Sequence, residues 1–492
     1  MKNSLGIWLV VLAGATGAAI RLGGAEPLAD GARSTMGKAT AFMRSIATEG
    51  GYLWRYAPDL RERAGEETAT ATQIWVQPPG TPSMGMAFLR AFEVTGDARY
   101  LDAAKAAADA LAVGQLESGG WDYLVEFDPK LSGNWYRRSD VGKVPAAEAA
   151  RRKNVSTYDD DNTQSALRLL LAVADAGKGP AERRDVRIRE ARDYGLAKLL
   201  AVQRPNGGWP QRWNGAPISA ADYPVRPARF PSDWSRTYQK ENYAGHYTLN
   251  DNTHRDCVMT LLDAYRRLGR REYRDAAWKG GDFLLLAQLP EPQPAWAQQY
   301  NPHLEPAWAR AFEPPAVCSL ESAGVMRLLI DLHLETGEEK YLEPLPRAIA
   351  WFKRSAIAPN TWARLYEMGA NQPIYGDRDG KIHYRVEELS PERQTGYSWK
   401  SSYGVPGVIA YYEEVKAAGR TAILAQRKAA ESAKSKQKAS RAKSLEPRVR
   451  AAVAALDAQG RWMTDYRGAV NIRTETFVSN LRVLCDYLEA MK

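Results

Sequence analysis

Two short acidic phrases hold the side chains most able to do chemistry. Tyr158-Asp159-Asp160-Asp161-Asn162-Thr163 sets three carboxylates side by side, and Asn250-Asp251-Asn252-Thr253 repeats the pattern further along the chain. Adjacent carboxylates repel one another unless a cation or a basic group compensates. An all-oxygen donor set suits Ca²⁺ or Mg²⁺, and Ca²⁺ makes the softer geometric demand. Asp160, Asp161 and Asp251 are therefore candidate metal ligands, whereas Asp159 alone reads as part of a solvated helix cap.

Arginines beside aromatic residues form the second constellation. They occur in Trp308-Ala309-Arg310-Ala311-Phe312-Glu313, in Trp362-Ala363-Arg364-Leu365-Tyr366-Glu367 and in Arg393-Gln394-Thr395-Gly396-Tyr397-Ser398-Trp399. A guanidinium is a planar fork that grips carboxylates bidentately, and Trp or Tyr faces stack on sugars. Arg310, Arg364, Arg393 and Tyr397 are accordingly candidate contacts to an acidic sugar. A tight turn at Asn206-Gly207-Gly208-Trp209-Pro210-Gln211 would deliver Trp209 and Gln211 to a rim, with glycine supplying the left-handed backbone. Asn250, next to Asp251, joins the substrate contacts. No H-x-x-x-H, H-E-x-x-H, G-x-S-x-G or G-x-x-x-x-G-K pattern occurs.

The elements that must position these residues are repeated. A helix-like run, a Gly or polar turn and then Trp recurs at Trp54, Trp121, Trp209, Trp296, Trp362 and Trp462. Between these marks lie segments with apolar residues three and four apart, and few β-rich runs interrupt them. The two acidic phrases precede such runs, where Asp, Asn and Thr would cap free N–H groups. The pattern predicts an all-α fold: a toroid of about six helical hairpins, an (α/α)-barrel-like arrangement with short β or irregular segments and the Trp turns at the rim of a central cleft.

Composition is compatible with this. Hydrophobic residues make up 45% and charged residues 25% of 492 residues, an ordinary globular balance. A net charge of +9 favours anionic partners. Cys257, Cys318 and Cys485 form no C-x-x-C and read as buried thiols. Residues 1–25 carry Lys2, an apolar run from Leu5 to Ile20 and a small-residue end, the pattern of a signal peptide; an uncleaved anchor is the alternative. The toroid is expected over residues 26–420. Residues 421–448 read as an exposed, basic, partly helical connector, and residues 449–492 as a closing hairpin. No aromatic residues interleave with the bases of the connector, which argues against nucleic acid.

From about Thr157 to Tyr412 the sequence resembles the family 10 polysaccharide lyases, the pectate lyases. The acidic phrases carry the resemblance, together with Pro306 to Ser322 (PAWARAFEPPAVCSLES), Trp362 to Gly380 (WARLYEMGANQPIYGDRDG) and Arg393 to Trp399. The resemblance implies an enzyme that cleaves polygalacturonate by Ca²⁺-dependent β-elimination; the signal-peptide pattern makes it periplasmic or secreted, and the sequence implies no stable protein partner. It implies a proton-abstracting role for Arg310, a substrate-carboxylate or transition-state contact for Arg393, and Ca²⁺ held by Asp160 or Asp161 with Asp251. The sequence departs from the family where Gln299-Tyr300-Asn301 stands for Q-H-D. Three alternatives remain. Gln115 to Trp121 and Gln203 to Trp209 fit Q-x-x-x-G-x-W, which resembles a squalene-cyclase repeat. The others are a non-catalytic polyuronate-binding toroid and a metal-free hydrolase with two carboxyl groups.

Overall fold

The computed structural model describes residues 25–176 and 182–492. The expected export segment lies outside them apart from Ala25, which opens the first helix. The α-helices run in order α1 (Ala25–Ser45), α2 (Thr81–Thr95), α3 (Ala98–Gly114), the single turn α4 (Ala146–Ala149), α5 (Asn162–Val173), α6 (Arg183–Val202), α7 (Thr253–Leu268) and α8 (Arg271–Leu286). They continue with α9 (Ser319–Thr336), α10 (Leu345–Ser355), the short α11 (Pro391–Gly396), α12 (Val405–Ala418), α13 (Arg420–Lys436), α14 (Lys438–Ala454) and α15 (Thr474–Ala490).

The helices form an all-α toroid. Helices α2, α5, α7 and α15 line one part of the central hollow, and α7, α9 and α12 line another. Helices α1, α3, α6, α8, α10 and α14 pack behind them. One apolar core runs from Leu28 to Leu488, so the closing segment is continuous with the rest.

Short antiparallel strands tie the hairpins together at one rim. The strand before an inner helix pairs with the strand after its outer partner: Gln73–Trp75 with Leu124–Glu126, Ser156–Thr157 with Arg212–Trp213, Tyr247–Thr248 with Gln299–Tyr300, and Val317–Cys318 with Leu365–Tyr366. A small satellite core of Cys318, Leu365, Ile374, Tyr375, Leu389 and Trp399 supports the last of these.

The recurrent Trp is a structural hook, its side chain turned into the core and not out to the rim where Trp209 was expected to meet a ligand. Trp121, Trp209, Trp296, Trp362 and Trp462 are buried. Their indole N–H groups donate to the carbonyls of Leu111, Leu199, Leu284, Phe352 and Ala452. Each acceptor lies in the last turn of an outer helix, where carbonyls lack an intrahelical partner. The Gln of the Q-x-x-x-G-x-W phrases is also structural. Gln115 donates to the carbonyls of Gly119 and Ala191, and Gln203 to those of Gly207 and Ala276, so each stitches its own turn to the next outer helix. The terpene-cyclase reading loses its motif here. All three cysteines are free and buried.

Candidate active site

The two acidic phrases fold alike. Asp160 and Asp161 occupy consecutive left-handed positions (φ 52° and 58°) just before α5, and Asp251 and Asn252 do so (φ 50° and 62°) just before α7. Asp and Asn tolerate this conformation better than other side chains. The expected N-caps are absent: neither Asp161 nor Asn252 makes a side-chain cap hydrogen bond. Two left-handed residues in succession bend the chain so that neighbouring phrases face each other. Carboxylate oxygens of Asp159, Asp160 and Asp251 then lie within 4.8 Å of one another.

This group has the character of a cation site. Burial, followed by repulsion from Asp160 and Asp251, pushes Asp159 up to about 7. Partial burial and Asp160 push Asp251, which keeps solvent on one side, to about 6. Asp160 is raised as well, by burial first. Gln211 donates to Asp159 (2.8 Å), Tyr123 to Asp160 (3.4 Å) and Asn250 to Asp251 (2.5 Å). The buried amide oxygens of Gln211 and Asn250 have no hydrogen-bond donor. Three carboxylates with too little positive charge, beside unpartnered amide oxygens, fit a hard divalent cation.

Guanidinium groups close the other side. Arg310 is near enough to Asp159, Asp160 and Asp251 to oppose their raised pKa values. It sits in a tight loop, with Nε 2.7 Å and Nη2 2.5 Å from the buried Glu313 carboxylate. Gln298 also donates to Glu313, at 2.7 Å. Burial works against the charge on Arg310, but the Glu313 pair outweighs it and raises the pKa further above its ordinary value. Arg310, Arg393 and Arg378 surround the Phe312 ring at 4.7, 4.4 and 5.5 Å from its centroid. Arg393 and Arg378 share Glu392. Arg364 lies over the Tyr397 ring (4.3 Å) and 3.6 Å from the buried Glu321. The buried Tyr397 hydroxyl has no partner.

Asp160, Asp251, Asn250, Gln211, Arg310, Arg364, Arg393 and Tyr397 thus belong to one neighbourhood. Two expected residues do not. The Asp161 carboxylate turns to Arg168, which grips both its oxygens, and it is outside the acidic group. Trp209 is wholly buried against His254, so it cannot meet a sugar. Asp159 takes the third acidic place in spite of its reading as a cap. Three residues outside the expected set join the neighbourhood: Glu313, three residues after Arg310 and within reach of the same turn, Glu321 beside Arg364, and Arg212, whose charge acts on Asp159. Asn301 is occupied in its own loop, donating to Glu305 (2.9 Å) and accepting from the N–H groups of His303 and Glu305.

A protein-family model described as pectic acid lyase matches residues 130–361 and 354–406, more than half of the chain. No curated protein matches significantly. Among solved structures, the chain is similar to a family 10 polysaccharide lyase from Cellvibrio cellulosa, at 20% identity and TM-score 0.46 over 68% of this chain and 97% of that one. A mutant of the Cellvibrio lyase in complex with trigalacturonic acid matches at 21% and 0.45, over 68% and 98%. A cellobiose 2-epimerase from Bacillus thermoamylovorans matches at 13% and 0.43, over 94% and 100%.

Proposed function

The chain belongs to the pectic acid lyase family, and from that premise we propose that it cleaves polygalacturonate-type polyuronates by Ca²⁺-assisted β-elimination. One observation carries the reading: three carboxylates from adjacent hairpins face Arg310, with Arg364 and Arg393 beside it.

Elimination removes the proton on C5, α to the uronate carboxylate, and expels the O4 leaving group. Asp159, Asp160 and Asp251 would hold Ca²⁺, in place of the expected set with Asp161. A bound Ca²⁺ supplies charge neutralisation for the uronate carboxylate and so acidifies the C5 proton. Gln211 and Asn250 orient Asp159 and Asp251. Arg364 and Arg393 bind substrate carboxylate and stabilise charge that develops next to it. The Tyr397 ring sits under Arg364 and beside Arg393 and would hold both guanidinium groups in place. Arg310 is the residue assigned to the C5 proton: its guanidinium would first give a proton to solvent and then take the one from C5, returning to the charged form that Glu313 holds in the free protein.

No helix among the described residues is long and apolar enough to cross a membrane. The apolar amino-terminal run supports export to the periplasm or medium, where an extended acidic polymer would be met. The test is incubation with polygalacturonate, with and without Ca²⁺, following ultraviolet absorbance of the 4,5-unsaturated product. The reading expects a Ca²⁺-dependent rise. Its absence on every uronate polymer tried would leave only binding.

A further inference from the structure

We propose that the α13–α14 elbow is a second polyanion-binding surface, distinct from the cleft, that retains the protein on its acidic polysaccharide. The identity of that polymer rests on the function proposed above. The charge distribution carries the inference. Residues 420–454 contain ten basic and two acidic side chains, a net +8 out of +9 for the whole chain. The rest of the molecule is nearly neutral.

The elbow stands apart from the cleft. The inner helices begin at the strand-bearing rim where the acidic group lies, and α13 starts at their opposite end. Arg420 donates there to the carbonyls of Leu334 and Glu335 in the last turn of α9. Ile423 is buried, Leu424 is half-buried, and Arg427 ties the base of α13 to Asp331 and Tyr411. Beyond them, residues 425–433 and 437–440 are all exposed. Lys428, Lys438, Lys443 and Arg448 are exposed and form no ion pair among the described residues. Ala, Lys, Gln and Arg are strong helix formers, so the projecting segment can stay helical without a packed face.

The chemistry of the elbow also selects its partner. From Ala425 to Ser444 the only apolar side chains are alanines. A membrane-surface helix needs larger apolar groups to bury, and single-stranded nucleic acid binding relies on aromatic stacking; neither is present. Closely spaced cations without an apolar face suit an extended, soluble polyanion whose charges recur along its length. Such binding weakens with salt.

The test compares the parent with a variant carrying Lys428→Gln, Lys438→Gln, Lys443→Gln and Arg448→Gln. Binding to polygalacturonate is measured in chelator, so that the acidic group takes no part, at low and high salt. Anionic phospholipid vesicles and duplex DNA are measured in parallel. At low salt the variant should bind polygalacturonate roughly tenfold or more weakly, and the difference should vanish at high salt. Its turnover of trigalacturonate in Ca²⁺ should equal the parent's, while turnover of dilute polymer falls. Equal binding by parent and variant overturns the inference, as does tighter binding of the parent to vesicles or DNA than to polygalacturonate. A parent that binds polygalacturonate through the elbow but yields no unsaturated product would refute the lyase reading alone.

Discussion

Glu313→Gln separates the two things that the buried carboxylate does for Arg310. Glu313 accepts from Nε and Nη2 of that guanidinium at 2.7 and 2.5 Å, and from its backbone N–H at 3.2 Å. A glutamine keeps the size and one acceptor, but it puts an amide N–H₂ where an Arg310 donor now points. One charge-assisted contact is lost and a donor–donor clash replaces it. Hydrogen bonds to charged groups contribute about 1.5–3 kcal/mol each. If that much orientation is lost, kcat falls by roughly 10- to 100-fold. The carboxylate also favours the protonated form of Arg310. Its removal should therefore ease the loss of that proton, so that kcat rises more steeply toward alkaline pH than it does in the parent. Initial rates of unsaturated-product formation at saturating Ca²⁺, with a urea denaturation midpoint to confirm folding, measure both effects. An unchanged kcat, or a pH profile that stays in place while KM alone rises, would refute a role for Arg310 at the C5 proton.

Asp160→Asn removes one of three converging carboxylates and should weaken Ca²⁺ binding at least tenfold by calorimetry, with chelation and mutation having non-additive effects on activity. Because carboxylate ligands must be deprotonated, and Asp159 is raised to about 7, Ca²⁺ binding near pH 6 should release protons, detectable with an indicator dye. Trp209→Phe leaves the Leu199 carbonyl without its donor and should cost about 1–3 kcal/mol in urea denaturation, with KM unchanged; a raised KM at full stability would restore the sugar-platform reading. Burial holds both His246 and His254 down, from 6.5 to about 4. The folded protein then binds fewer protons than the unfolded chain between these values, so stability is full above about pH 6.5 and falls toward pH 4, by up to about 3 kcal/mol per residue. Imidazole resonances that titrate near 6.5 would contradict this.

The repeat spacing made the toroid legible because each Trp marks the end of an outer helix, and that periodicity survives folding. The role of the Trp was not legible. An indole after a Gly-Gly turn can face solvent or turn inward, and what packs above it decides the matter. Trp209 lies against His254, and a Cβ at Gly280 would come within 2.7 Å of its ring, so the next hairpin supplies the cover. The register of the acidic phrase was open for a similar reason. Asp160 and Asp161 are equivalent in composition, and only backbone geometry matches Asp160 with Asp251 and Asp161 with Asn252. Asp159 joins the group because Gln211, far away in sequence, holds it. No local pattern encodes that contact.

Charge accounts for why the site contains so many arginines. Arg310 has Glu313, Arg364 has Glu321, and Arg393 and Arg378 share Glu392. The pairs leave one positive charge around Phe312, facing three carboxylates. The aromatic face attracts each guanidinium electrostatically, which helps three like charges to gather there. A divalent cation on the acidic group would leave it at −1, matched by that surplus. Arg212 also acts on Asp159 and Asp160, and forms no ion pair among the described residues. It would then add an unpaired positive charge to Arg364 and Arg393 where an incoming uronate carboxylate binds. A neutral sugar would leave that charge unmatched, whereas each acid residue of a polyuronate brings its complement, so charge alone gives the site a preference for acidic polymers.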